Sequence, residues 1–322
     1  MRSTCSRFAR SRADAIRKAF IRTLVELAER DPRIVLLTAD LGFMALEPFS
    51  EAFPDRFFNV GVSEQNMVGL ATGLAEAGMV PFVYSIAPFA TLRPYEFIRQ
   101  GPLLHRLPVR VVGIGGGMEY GVNGMSHYAL EDVAVMRAQP SMTVIAPADH
   151  QQARAALLAT ADVPGPIYFR LGKDDAAVVP GLNGEFELGR IQRIREGPAA
   201  AFIAMGPIAS EAVAACELLA AKGLDCAVAV VAGVSPPPAD DLERLLDGRV
   251  LAVTVEVHYP SGGLGSLVAE VIAERGMGVR LLRQCVRTMP DGLVGSQRYM
   301  ERSFGLSAEQ LAGAVTQELA AR

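Results

Sequence analysis

Cysteine is scarce: Cys5, Cys216, Cys226 and Cys285 are the only four in 322 residues, with no Cys-x-x-Cys pair and no histidine at metal-ligand spacing. This argues against zinc, iron–sulfur and dithiol redox sites and leaves reduced, cytosolic thiols as the simplest reading. Positive charge is not in excess either. With a formal net charge of −4 the chain offers no basic surface to neutralise phosphates, so nucleic acid is not an expected partner. No apolar run reaches the roughly 18 residues of a spanning helix, so no membrane contact is expected and the sequence reads as cytoplasmic. A dinucleotide-binding Gly-x-Gly-x-x-Gly turn is also missing. In the stretch Gly113–Gly117 the third glycine falls on Met118 or Tyr120, and no helix opens at once. Internal repeats and low-complexity segments are absent. The first dozen residues carry Arg2, Arg7, Arg10 and Arg12 with no acid before Asp14, a composition that overlaps with organellar transit peptides but reads more simply as a basic tail.

Half of the residues are apolar, enough for a sizeable core, and the length suggests two domains at about 100–200 residues each. Helical spacing from Asp14 to Arg30 stops at Asp31-Pro32, and buried strands follow at 34–37, 80–84 and 109–114. A polar, turn-rich composition around Pro180–Gly184 marks a linker, read as 181–197, between a first domain at 1–180 and a second at 198–322. The second repeats the alternation, with strands near 200–205, 226–231, 250–256 and 279–284. The fold class is therefore α/β, two domains each built on a mostly parallel sheet flanked by helices.

Chemistry concentrates at strand ends. In Phe57–Met67 an apolar run meets Gly61 and then a helical pattern (Met67, Leu70, Ala71, Leu74), which puts Glu64 in a helix's first turn just past a strand's carboxyl end, where open α/β sheets bind ligands. An acid there usually complements the helix dipole in solvent. Asp40 ends the first strand and reads equally as a turn cap or a site residue. Phe89 after the strand at 80–84 reads first as core, and His127, closing a glycine-rich loop, as a loop histidine or a functional one. His105 and His150 are assigned to structure. At Gly262-Gly263-Leu264-Gly265, helix packing is preferred to anion binding.

Taken together these segments resemble the transketolase family of thiamine-diphosphate enzymes. Gly61-Val62-Ser63-Glu64 resembles its pyrimidine-domain signature Gly-Val-(Arg/Ser)-Glu, Thr38-Ala39-Asp40-Leu41 its Ser-Ala-Asp-Leu segment, and Gly121–His127 its Gly-Glu-Asp-Gly-Pro-Thr-His loop. Glu256–Ser266 is similar to the strand–loop–helix of its third domain. The resemblance implies a pyrimidine-binding fold followed by a transketolase C-terminal domain, with Glu64 and His127 catalytic. It further implies that Glu64, Phe89, Ile86 and Asp40 hold the cofactor and that Asn123, His127, Arg170 and Arg12 hold the sugar or sugar phosphate. Arg93 and its neighbours are similar to a segment at a subunit contact. The family's Gly-Asp-Gly metal–diphosphate motif occurs nowhere in the chain. Thiamine diphosphate, with Mg2+ or Ca2+ held mainly elsewhere, then requires a separate diphosphate-binding subunit, in an expected α2β2 assembly. Ketol transfer between sugars is the implied activity; the beta subunit of a 2-oxo-acid dehydrogenase and a non-catalytic subunit are the alternatives, and Asn123-Gly124-x-Ser126-His127 favours the first.

Overall fold

The computed structural model describes residues 15–173 and 178–321; Arg12, read above as a sugar ligand, lies outside them. The first half runs α1 (Ile16–Arg30), β1 (Ile34–Thr38), α2 (Glu47–Ala52), β2 (Phe57–Asn59), α3 (Glu64–Glu76), β3 (Val80–Ile86), α4 (Ala87–Thr91), α5 (Tyr95–Ile98), β4 (Arg110–Ile114), α6 (Asp132–Arg137), β5 (Thr143–Ile145), α7 (His150–Ala159) and β6 (Ile167–Leu171). The second runs β7 (Gln192–Pro198), β8 (Ala201–Ala204), α8 (Ala209–Ala220), β9 (Cys226–Val230), β10 (Gly233–Ser235), α9 (Ala239–Leu246), β11 (Leu251–Val255), α10 (Leu264–Glu274), β12 (Arg280–Gln284), α11 (Gln297–Ser303) and α12 (Ala308–Ala320).

Continuous apolar runs such as Ile34–Leu37 suit strands covered on both faces, and every residue of β1, β3, β4 and β6 is buried. They form a seven-stranded sheet in the order β10-β5-β6-β4-β3-β1-β2. Phe20 of α1 holds the helix to one face, edge-on to Phe169 at 5.2 Å and Phe82 at 6.4 Å. In α3 the buried arc is Met67, Val68, Ala71 and Ala75. Val68 and Ala75 pull that arc to one side of Met67, so Leu70, expected inward, is 46 % exposed.

The second sheet has the order β12-β11-β8-β9-β7. Two strands depart from the parallel pattern and correct the domain reading. β7 begins at Gln192, inside the stretch read as a linker, and pairs antiparallel with β9. Its alternating, half-exposed residues belong to an edge strand. β10 comes from the second half but pairs antiparallel with β5 of the first sheet, where Ala146 N–H donates to Ala232 O at 2.7 Å. The two halves are thus interleaved. β3 runs two residues beyond the strand read at 80–84, to Ser85 and Ile86.

Because β6, β4, β3, β1 and β2 are mutually parallel and paired at their ends (Leu171↔Ile114↔Ile86, Tyr84↔Thr38↔Asn59), their carboxyl ends share one edge. Residues following each strand must therefore gather there.

Candidate active site

Glu64 opens α3 immediately after β2 and the positive-φ turn at Gly61 (φ 73°). The carboxyl is 4 % exposed. Arg93, just beyond α4, donates from Nη1 to both of its oxygens at 3.1 and 3.2 Å. The same guanidinium lies over the ring of Phe89, 3.9 Å from its centroid. Phe89 in turn meets the imidazole of His127 edge-on at 5.1 Å, His127 stands 5.8 Å from the ring of Tyr120, and Lys173 Nζ lies 4.7 Å over Tyr120. The ends of β2, β3, β4 and β6 therefore assemble a continuous line: buried acid, flat cation, aromatic face, imidazole, aromatic, lysine. His127 Nδ1 is 2.9 Å from Ser126 Oγ. Burial, and then the neighbouring Arg93, push its pKa below the usual histidine value, so at neutral pH the imidazole is uncharged and offers one donor and one acceptor.

Of the residues singled out from sequence, Glu64, Phe89 and His127 come together. Ile86 ends β3 and is 8 % exposed, a buried wall beneath α4. Asn123 is exposed on the His127 loop, its N–H donating to Tyr120 O at 2.8 Å. Asp40 (φ 56°) exchanges two hydrogen bonds with Asn59, at 2.9 and 3.0 Å, which ties the ends of β1 and β2. These contacts are a cross-strand tie at the sheet's carboxyl edge rather than a cap on its own turn.

Arg170 is a correction. It ends neither in solvent nor in the cleft: 5 % exposed, its Nε donates to Asp132 Oδ2 at 2.8 Å and its Nη2 to Ala129 O at 3.1 Å and Val257 O at 2.9 Å. Tyr168 Oη adds a 2.6 Å bond to the same Asp132 oxygen. An arginine held this way ties the two domains and has little left for a sugar. Arg93, singled out from sequence only as part of a segment similar to one at a subunit contact, reaches Glu64 and Phe89. Its acid lies 29 residues earlier in the chain, so no local pattern signals the pairing. Lys173 is the other cation at the site that sequence reading passed over.

The glycines of the loop are explained by close packing. A Cβ at Gly115 would strike the Tyr120 ring, at Gly116 it would lie 2.8 Å from the Arg170 guanidinium carbon, and at Gly117 2.7 Å from Val257 Cγ1. At the other glycine stretch the amides of α10 already have a carboxyl acceptor: Leu264 N–H and Gly265 N–H each donate to Glu256 at 2.7 Å.

Glu256 and its neighbour His258 are both fully buried. Burial pushes Glu256 up to about 7 from 4.5 and His258 down to about 4 from 6.5. The folded chain therefore holds the Glu256 proton where the unfolded chain has lost it, and this group's contribution to stability falls as pH rises from 4.5 to 7. His258 acts oppositely, losing stability as pH falls from 6.5 to 4, so the two slopes oppose one another between. Glu256→Gln removes only the first. Its stability relative to wild type is expected to rise with pH across that window, by on the order of 1 kcal/mol per pH unit, read from urea midpoints at pH 5, 6 and 7. A pH-independent difference would contradict the buried, titrating Glu256.

Comparison with known proteins places these features in context. The family model for the transketolase pyrimidine-binding domain matches residues 13–177, and that for the transketolase C-terminal domain matches residues 189–311. A putative transketolase C-terminal section from Methanocaldococcus jannaschii is 36 % identical over 307 residues, covering 94 % of this chain and 96 % of that protein. A 6-deoxy-6-sulfo-D-fructose transketolase subunit from a Clostridium species is 37 % identical over 297 residues, 92 % of each. Among solved structures, a split-gene transketolase described as an inactive beta4 tetramer superposes with a TM-score of 0.84 at 35 % identity, covering 96 % of this chain and 99 % of that one.

Proposed function

The chain belongs to the transketolase family, carrying its pyrimidine-binding and C-terminal domains, and from that premise we propose that it is one subunit of a two-component transketolase. It transfers a two-carbon ketol group between sugars once a diphosphate-binding subunit completes the site. The observation that carries this reading is the buried Glu64 carboxyl beside the face of Phe89, with a flat, hydrogen-bond-donating guanidinium lying between them. A planar group that stacks on Phe89 and donates to Glu64 already fits this place, and an aminopyrimidine has the same two properties.

Thiamine diphosphate, when bound, supplies a carbanion that the protein itself cannot make. The chain's own residues bind and orient. Glu64 would hold the ring through a proton on its carboxyl, Phe89 would support the ring's face, and Ile86 would back the wall. His127, uncharged, donates to or accepts from the sugar's oxygens, with Asn123 exposed beside it. The diphosphate and its Mg2+ belong to the partner in this reading; among the described residues no group of three or more His, Cys, Asp or Glu stands ready for a metal. The relatives that are subunits or sections of transketolases support a partner-dependent enzyme. The test is a ketol-transfer assay with the chain alone, the partner alone and the two mixed, with turnover expected only in the mixture. Turnover of pyruvate in place of a ketose would favour a 2-oxo-acid dehydrogenase subunit.

A ring taking Glu64 and Phe89 displaces Arg93. Removing that competitor with Arg93→Ala is expected to tighten thiamine diphosphate binding by the mixed subunits on the order of tenfold, the worth of a charge-assisted hydrogen bond at a half-exposed site. Calorimetric titration checks it, and weaker binding would show that Arg93 stays on as a ligand of the ring.

A further inference from the structure

The loop that carries His127 belongs by sequence to the first domain and by packing to the second. Met118, Tyr128 and Leu130 bury themselves in the same apolar cluster as Phe202, Val253, Val286 and Met300. The backbone follows: Tyr259 N–H donates to Leu130 O at 2.8 Å, and Gly295 N–H to Gly121 O at 3.1 Å. At the centre is the Tyr128 hydroxyl, 3 % exposed as a residue, which lies 2.9 Å from Gly121 O in the loop and 2.8 Å from Leu293 O in the second domain. One phenolic proton is thus shared between carbonyls of the two domains. Gly295 N–H already serves Gly121 O, so that proton is available to Leu293 O. A glycine makes the approach possible: a methyl at 121 would collide with the Gly295 carbonyl.

We propose that the second domain sets the position of His127 through this clasp, and that Tyr128 is a positioning residue for sugar binding. The proposal rests on the reading of His127 as a sugar ligand. The clasp fixes both ends of the Gly121–His127 turn, so His127 keeps its edge-on contact with Phe89 and its distance from Arg93, the charged group that faces it. Without the clasp the loop is closed only at its base, by the paired backbones of Gly117 and Ala129, and the Gly121–His127 turn loses its tie to the second domain.

The test uses Tyr128→Phe, which keeps the buried ring and removes the shared proton, and Gly121→Ala, which forces the two backbones apart. Only four histidines are present, so the ring signals of His127 are assigned in NMR spectra of the whole chain by their loss in His127→Gln. In both variants His127 is expected to titrate nearer the ordinary histidine value, while the signals of buried His258 stay in place and report an intact fold. An unchanged His127 titration in both would overturn the clasp. With the partner added, KM for the ketose is expected to rise on the order of tenfold with little change in kcat or cofactor affinity. A moved His127 titration with unchanged KM would leave the clasp standing and remove His127 from sugar binding. A loss of thermal stability alone, with titration and KM unchanged, would reduce Tyr128 to packing.

Discussion

Glu64→Ala, assayed with the diphosphate-binding partner and saturating thiamine diphosphate, is expected to turn over about 10²–10⁴-fold more slowly than wild type, the range for losing a positioned proton-transfer group. The carboxyl is buried at 4 % exposure at the start of α3, so no water or neighbouring acid replaces it cheaply. Stability is expected to change little by comparison. The residue that loses its partner is Arg93, whose side chain is 47 % exposed and turns to solvent without leaving a buried charge. Its stacking on Phe89 does not depend on the acid. Glu64→Gln keeps the volume and one acceptor but cannot exchange a proton, so it is expected to retain cofactor binding better than turnover. Near-normal rates in either variant would take Glu64 out of the chemistry.

Asp132→Ala is expected to be the most destabilising single change discussed here, by about 3–5 kcal/mol in urea unfolding. Asp132 is fully buried and receives Arg170 Nε and Tyr168 Oη. Removing it strands the Arg170 cation, itself 5 % exposed, among backbone carbonyls of both domains. The cost comes from the charge left unpaired more than from the bond lost. Glu96→Ala makes a useful contrast, because its pair with Arg99 leaves the side chains 62 % and 49 % exposed and solvent screens it, so its loss is expected to leave the urea midpoint nearly unchanged. Equal effects of the two substitutions would contradict the burial argument.

Much of the fold is legible because parallel strands covered on both faces demand mostly apolar runs, and Ile34–Leu37 and, with Arg110 and Thr254 as their polar members, Val109–Ile114 and Leu251–Val255 supply them. What escaped has weak local pattern. β7 is an edge strand with polar alternation in a turn-rich region, and β10 is three residues, Gly233–Ser235, that owe their place to β5 of the other sheet. At the site, Glu64 was readable because glycine turn, acid and helix start are adjacent in sequence. Arg93 was not, since its acid lies 29 residues earlier and meets it only through the pairing of β1 with β2 and β3. Arg170 misled for the opposite reason: a strand-end arginine looks like a ligand until the second domain's Val257 carbonyl is seen to cover it. The same covering by the second domain hides the role of Tyr128.

The most direct test of the account is a calorimetric titration of thiamine diphosphate with Mg2+ into the partner subunit, first alone and then with one equivalent of this chain. If the place now filled by the Arg93 guanidinium receives the cofactor's ring, adding the chain tightens binding by about a hundredfold or more, roughly 2.7 kcal/mol, and Glu64→Ala with Phe89→Ala abolishes most of that gain. An affinity no tighter with the chain than without it would contradict the account.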